Sequence, residues 1–512
     1  MTAQSDHFPQ PPCPTPFNMA AHVLGHADVQ PQKIAMEVLG AQTRPWTYKA
    51  LKSAVLGVAN GLACAGLRPG DRVLMRLGNT EDFPIAYLGA IAAGMVPVPA
   101  STQLTVPELE RAAQQIAPAA ILHAPGVTCP TPTCPVIQLD ALRDMYTLPP
   151  AEWHMGDSNR PAYIVFTSGT SGTPRAVVHA HRAIWARRMM RDGWLGLTGQ
   201  DRLLHAGAFN WTYTMGVGLM DPWSIGATAL IPSEGTQIEA LPDLLHRHAA
   251  TIFAAAPGVY RRMLKSDTAL DLPDLRHGVS AGEKLSPVVS AAFQRATGCT
   301  IHEAYGMSEV STFISGCPAR PVDAATLGYA QPGRRIAILA PEGSTPVPYD
   351  TPGVIAVHHS DPGLMLEYLN ESDATQARYR GEWFITGDLG QMAPNGQLSY
   401  LGRDDDMMNA GGYRVSPLEV ETALSAMPGL DAVACASVEV KPGVQVIGAF
   451  YTGPSALDDS DLRRFADSQL AHYKTPRLYV HLDQLPTSAN GKVLRKGLAK
   501  LYSSLSNTAS RR

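Results

Sequence analysis

The segment from Thr167 to Arg175 reads T-S-G-T-S-G-T-P-R and follows directly on the apolar run Ala162-Tyr163-Ile164-Val165-Phe166. A strand that opens into glycines and hydroxyl residues and closes on a basic residue suits a polyphosphate. Gly169 and Gly172 let the backbone come close, while amides and the hydroxyls of Thr167, Ser168, Thr170 and Ser171 donate to phosphate oxygens. Arg175 adds a charge-assisted donor. The loop is not a Walker A sequence, because G-x-x-x-x-G-K-[ST] occurs nowhere in the chain. Nor is it a dinucleotide fingerprint, since no G-x-G-x-x-G follows the strand. Taken alone, these residues also read as a Ser/Thr-rich surface turn.

A phosphate loop needs a frame to hold it. Helical spacing from Tyr48 to Leu67 is followed by a strand pattern over Arg72–Arg76. "AATIFAAAPGVYRRML" gives a buried strand, a Pro-Gly break and a helix, and "CTIHEAYG" a strand ending in a turn. The alternation predicts α/β layers with largely parallel sheets. Between about Gly333 and Tyr400 the chain is rich in Gly and Pro, with short alternating strands such as "GVIAVHH", which predicts a small antiparallel sheet or barrel-like subdomain. A compact α+β pattern occupies the last hundred or so residues. The expected organisation is an N-terminal domain of residues 1–404 and a small mobile C-terminal domain of residues 405–512.

Composition narrows the function classes. The 512 residues are 45% hydrophobic and 17% charged, with 41 Lys plus Arg against 45 Asp plus Glu, a net charge of −4. A basic excess able to hold a nucleic-acid backbone is missing. The seven scattered cysteines do not form a secreted disulfide pattern. Cys129 and Cys134 have no second ligand pair at finger-like spacing. The uncharged run from Phe83 to Pro107 contains Pro97 and Pro99, so it reads as a buried helix and strand, not a membrane span. A cytoplasmic protein is expected, without nucleic-acid or membrane partners. His179 and His181 are assigned to a helix start behind the loop, His358 and His359 to a strand without a ligand partner nearby in sequence.

Later motifs sharpen the reading. "YIVFTSGTSGTPRAVVHAHRA", "HEAYGMSEV", "EWFITGDLG", "YLGRDDDMMNAGGYRVSPLEVE" and "PTSANGKVLRK" occur in this order. Together they resemble the adenylate-forming superfamily of acyl-CoA synthetases, peptide-synthetase adenylation domains and firefly luciferase, over about Asn18 to Lys500. The nearest branches are the benzoate-CoA ligases and medium-chain acyl-CoA synthetases. The resemblance implies ATP, Mg²⁺ and coenzyme A. It makes Thr167–Arg175 the loop for the β- and γ-phosphates, with Arg175 where Lys is usual. Gly282, Glu283 and Lys284 match the turn bordering adenine. Glu303, Ala304, Tyr305, Gly306, Met307 and Ser308 resemble the strand-end motif in which Tyr305 packs on adenine and Ser308 reaches the α-phosphate. Glu309 is similar to the carboxylate that positions Mg²⁺. Asp388 and Arg403 match the ribose contacts, Asp405 the hinge, and Gly411 and Gly412 a loop clearing the pantetheine path. Arg414 is implied as a phosphate contact and Lys492 as the catalytic lysine. By composition alone Lys492 is one more surface lysine.

The implied reaction joins a carboxylic acid to the α-phosphate of ATP, releases pyrophosphate, and passes the acyl group to a thiol with loss of AMP. The acid pocket is expected among Ala208–Gly216, Ser280–Gly282 and Ala304–Phe313, with Trp211, Tyr213, Ala281 and Phe313 as its walls. A small aromatic or short-to-medium aliphatic acid fits that expectation, in a monomer or homodimer. Rival readings are an enzyme loading a free carrier protein, a luciferase-like oxygenase, and a catalytically silent nucleotide- or acyl-binding relative.

Overall fold

The structure is a computed structural model. It describes residues 2–5, 10–40, 43–167, 174–265, 269–323, 326–403, 408–410, 413–441, 444–470, 472, 474–487, 493–495 and 497–502. The helix Tyr48–Cys64 starts at Thr47, whose side chain accepts from the Ala50 amide, and it buries Leu51, Val55, Val58 and Leu62 along one face. It leads to the strand Arg72–Arg76, which lies within a four-stranded parallel sheet beside Val96–Pro99 and Ala120–His123, with Val136–Gln138 outermost. The uncharged run divides as expected into the helix Asp82–Ala92 and the strand Val96–Pro99. Pro97 and Pro99 are tolerated because that strand is at the sheet edge, where missing amide donors break no ladder. Among the described residues, no helix is long and apolar enough to cross a membrane.

A nine-stranded sheet carries most of the remaining core. Its six central strands run parallel: Ile301–Met307, His277–Ala281, Ile252–Ala255, Arg202–His205, Thr228–Pro232 and Ile34–Leu39. Strands such as Ile252–Ala255 are buried throughout, as a parallel strand covered on both faces requires. Antiparallel strands close the two edges, Arg44–Thr47 on one side and Ser311–Ser315 with Tyr329–Ala330 on the other.

The Gly/Pro-rich region forms an antiparallel five-stranded sheet from Ile336–Leu339, Gly353–His358, Tyr379–Arg380, Trp383–Met392 and Leu398–Arg403. One expectation is corrected. Ala176–Ala180 is a strand paired antiparallel with Pro161–Phe166, so His179 lies on a strand and His181 follows it; helix begins only at Ala183. Closing the loop as a hairpin imposes extended backbone on Val177 and Val178, which their β-branching favours. The C-terminal α+β region gathers its own apolar cluster, including Met408, Val420, Leu424, Ile447, Tyr451 and Leu462.

Candidate active site

Two adjacent parallel strands end where the motifs predict chemistry. Crevices outside the carboxyl ends of such strands are the usual ligand sites of open α/β sheets. His277–Ala281 runs into Gly282, Glu283 and Lys284; Ile301–Met307 delivers Glu303, Ala304, Tyr305, Gly306 and Met307, then Ser308 and Glu309. Gly282 has φ +99°, and a Cβ there would come within 2.7 Å of the Trp211 ring, so both backbone and space call for glycine. The Lys284 ammonium donates to Glu303 at 2.6 Å and to the Thr326 carbonyl at 3.1 Å, and the Leu285 amide donates to the other Glu303 oxygen at 2.9 Å. Burial pushes the Glu303 carboxyl up, and Lys284 offsets part of that rise.

Tyr305 donates its hydroxyl to Asp388, and the Tyr400 hydroxyl reaches the other Asp388 oxygen at 3.5 Å. Asp388 and Arg403 are direct partners across the antiparallel pair Trp383–Met392 and Leu398–Arg403, and the guanidinium lies 3.5 Å from the carboxylate. Burial and the nearby Asp388 charge raise the Tyr305 phenol well above its usual value, so it stays a donor. The two expected ribose contacts and the expected adenine contact therefore form one network.

At the phosphate loop, the Thr167 amide donates to the Arg175 carbonyl at 2.9 Å, and the Arg175 amide to the Thr167 hydroxyl at 3.2 Å. The Arg175 guanidinium stands 5.0 Å over the Tyr368 ring and 3.3 Å from Glu371. Tyr368 in turn donates to Glu309 at 2.6 Å. The basic residue of the loop and the expected magnesium carboxylate are thus joined through one tyrosine.

A cavity with about 410 Å³ of empty space, part of it open to solvent, reaches Ser308. It is lined from the Ala208–Gly216 and Ala304–Phe313 segments by Phe209, Asn210, Thr212, Met215, Ser308 and Ser311. None of Trp211, Tyr213, Ala281 and Phe313 is in its lining. Trp211 packs edge-on to Tyr213 at 5.0 Å and against Gly282, and Tyr213 donates to the Val279 carbonyl at 3.0 Å. Phe313 packs on Tyr305 at 5.1 Å, and Ala281 is buried.

The cavity brings in residues that sequence reasoning passed over: Tyr87, Tyr163, His179 and Arg187. His179 stacks on Tyr163 with centroids 4.9 Å apart, and its Nε2 donates to the Ser308 carbonyl at 2.7 Å. Burial lowers the His179 pKa to about 4, so its ring is neutral at physiological pH. Burial likewise pushes the Tyr163 phenol up to about 12 and the Tyr87 phenol well above its usual range.

Elsewhere, His358, His359 and Glu382 come together at metal-ligand distances. However, Arg335 donates to His358 Nδ1 at 3.1 Å and the Ser360 amide does so at 3.2 Å. Neither group can accept, and the Ser360 hydroxyl, 2.7 Å from the same nitrogen, can donate as well, which favours the neutral tautomer with its proton on Nε2, the atom that faces Glu382; in that tautomer Nε2 has no lone pair for a cation.

Ser168, Gly169, Thr170, Ser171, Gly172, Asp405, Gly411, Gly412, Lys492 and the side chain of Arg414 lie outside the described residues.

The AMP-binding enzyme pattern matches residues 25–369, and the AMP-binding enzyme C-terminal domain pattern matches residues 419–492. This chain belongs to the AMP-binding enzyme family. It is 29% identical over 524 residues to the benzoate–CoA ligase of Thauera aromatica, covering 96% of this chain and 98% of that one. Its structure is similar to a benzoate CoA ligase from Burkholderia xenovorans LB400, with TM-score 0.84, 27% identity, and coverage of 94% of this chain and 100% of that one. It is also similar to ATP-bound MatB from Rhodopseudomonas palustris, with TM-score 0.88, 25% identity, and coverage of 95% and 99%.

Proposed function

We propose that this chain is an ATP-dependent carboxylate–CoA ligase acting on a small aromatic or short-to-medium aliphatic acid. The observation that carries the reading is the convergence at the end of Ile301–Met307: Tyr305 faces Asp388, Ser308 opens on the cavity, and Glu309 follows at once. A nucleotide held on one side and an acid on the other would meet at Ser308.

In the first step a carboxylate oxygen attacks the α-phosphorus of ATP. A new P–O bond forms, the bond to the bridging oxygen breaks, and pyrophosphate leaves. The work of the chain is positioning and charge placement. Asp388 accepts from ribose hydroxyls, Arg403 and Tyr400 hold that carboxylate in place, and Thr167 to Arg175 receive the departing phosphates. Lys492 bridges the developing charge between acid and α-phosphate. In the second step a thiolate attacks the acyl carbonyl, the C–O bond to phosphate breaks, and AMP leaves. Rotation of residues 405–512 about Asp405 carries Lys492 away and brings Gly411 and Gly412 in, with Arg414 toward phosphate.

Mg²⁺ fits Glu309. The side chain is buried, its one described partner is the Tyr368 hydroxyl, and a single carboxylate beside phosphate oxygens is the donor set this ion takes. Bound there, it offsets triphosphate charge.

The test is a panel of carboxylic acids assayed for pyrophosphate, AMP and thioester formation with free coenzyme A. Acid-dependent release of all three products is the expected result. ADP and phosphate as products would remove the reading, and thioester formation only on a carrier protein would change the acceptor.

A further inference from the structure

The cavity beside Ser308 is not the plain apolar slot that an unsubstituted acid would ask for. Arg187, 8% exposed, donates Nε and a terminal nitrogen to the two Asp221 oxygens at 2.7 and 2.6 Å, and its other terminal nitrogen to Ser311 Oγ at 2.7 Å. Ser311 reaches that position with φ +75°, a left-handed conformation that costs a non-glycine residue strain. Gly216 makes room for the guanidinium, since a Cβ there would fall 2.2 Å from Arg187.

Tyr87 and Tyr163 also line this cavity, and both are buried. Among the described residues neither hydroxyl has a hydrogen-bond partner. The other nitrogen of the neighbouring His179 ring, Nδ1, is buried and likewise without one. Buried polar groups in native proteins are nearly always satisfied, so the unsatisfied His179 Nδ1 beside two cavity-lining tyrosines points to a polar occupant. Phe209, Met215 and Met220 add apolar surface to the lining, and Asn210 and Thr212 add further polar groups.

From this arrangement we propose that the acid accepted here carries a neutral hydrogen-bonding group, a hydroxyl, on an otherwise apolar body and remote from its carboxylate. The proposal rests on the ligase reading above and names its substrate class. The hydroxyl exchanges hydrogen bonds with Tyr87 and Tyr163, and the apolar body lies against Met215 and Phe209. A second carboxylate is disfavoured. Arg187 is the cation of the lining, and Asp221 already neutralises it, so a buried anion would find no uncompensated charge.

The experiment compares matched acids: benzoate with its meta- and para-hydroxy derivatives, and hexanoate with its terminal hydroxy derivative, with adipate as the dianionic control. Two readouts are taken, kcat/KM from pyrophosphate release and equilibrium binding of each acid by calorimetry. At least one hydroxylated member should exceed its parent by about tenfold or more in both, with adipate no better than hexanoate. In the double variant Tyr87→Phe/Tyr163→Phe that ratio should fall toward one. Because no described residue holds either hydroxyl, the variant should match the parent protein in thermal midpoint, which excludes misfolding as the cause. Parents that bind as well as their hydroxylated partners, or a ratio untouched by the double variant, would overturn the proposal. Its failure is separable from failure of the ligase reading. Hydroxyl-selective binding without pyrophosphate release keeps this inference and removes that reading; pyrophosphate release without selectivity does the reverse.

Discussion

Asp388 on the nucleotide side and Tyr87 on the acid side are both buried, yet they meet different conditions. Asp388 is held by Tyr305, Tyr400 and Arg403, and its backbone amide donates to Thr386 at 3.1 Å. Tyr87 and its neighbour Tyr163 line the cavity, and among the described residues neither hydroxyl has a hydrogen-bond partner. A group locked by its neighbours presents the same geometry to every ligand, which suits a nucleotide that never changes and reduces reorganisation during reaction. A group without a protein partner is indifferent to nothing: whatever enters either satisfies it or leaves it costly. Under the proposed function, the two halves of the site carry different duties, constancy on one side and choice on the other.

The strongest test of that division acts between the halves. Lys492→Ala should lower acyl-adenylate formation by on the order of 10²-fold or more, as loss of one transition-state charge contact does. The same variant, given preformed acyl adenylate and coenzyme A, should make thioester at close to the normal rate. Equal loss in both half-reactions would mean a single working conformation. Next in size, Asp388→Ala should raise the KM for ATP roughly tenfold to a hundredfold, the worth of hydrogen bonds to a charged group. The ranking of acids should not change. If acid preference moved with ATP affinity, the two sides would not be independent.

Trp211 stands outside the cavity lining, beside the lining residue Thr212, so Trp211→Ala acts on the acid side only by joining the vacated space to the cavity, and a smaller amount is expected. Each methylene newly buried adds about 0.8 kcal/mol, or roughly fourfold, so preference should drift toward bulkier acids while ATP affinity stays nearly constant. An unchanged acid profile would confine the indole to packing on Gly282. The smallest effect concerns stability. Burial lowers the pKa of His179 to about 4 and those of His181 and His205 to about 3. Their unfolded counterparts titrate near 6.5, so the unfolded chain binds more protons below that pH and stability falls as pH falls. From pH 7 to pH 6 the loss is about 0.7 kcal/mol per histidine, continuing down to the folded values. Denaturant midpoints across this range measure it. A flat profile would show that the three rings titrate in the fold as they do in the unfolded chain.

What could be read from sequence follows from how local each signal is. The strand end at Tyr305 and the turn at Gly282 are contiguous motifs, and the structure puts them beside one another because their strands are neighbours that run parallel and end on a common side; the loop at Thr167 is also contiguous, but it follows an antiparallel strand of a different sheet. The proline-bearing edge strand was legible for the same reason. Arg187 was not. It sits in "WARRMMR", which looks like a solvated charge run, and its burial depends on Asp221, which is 34 positions on. Tyr87 lies within an apolar helix and reads as core, where its ring indeed is. His179 was expected at a helix start because the decisive partner strand, Pro161–Phe166, precedes the loop. Periodicity over a few residues does not report pairing across a turn.

Gly282 has a consequence for how such an enzyme changes over time. The turn proposed for adenine and the Trp211 indole touch with no side chain between them, so the partition there is one backbone thick. Any larger residue at 282 would push the indole aside and bend the turn together, disturbing the turn and the aromatic packing of Trp211 on Tyr213 in one step. Diversification of acid choice is therefore steered away from this partition and toward residues such as Thr212 and Met215, which line the cavity. A lineage can retune its substrate at those positions and leave its ATP chemistry intact.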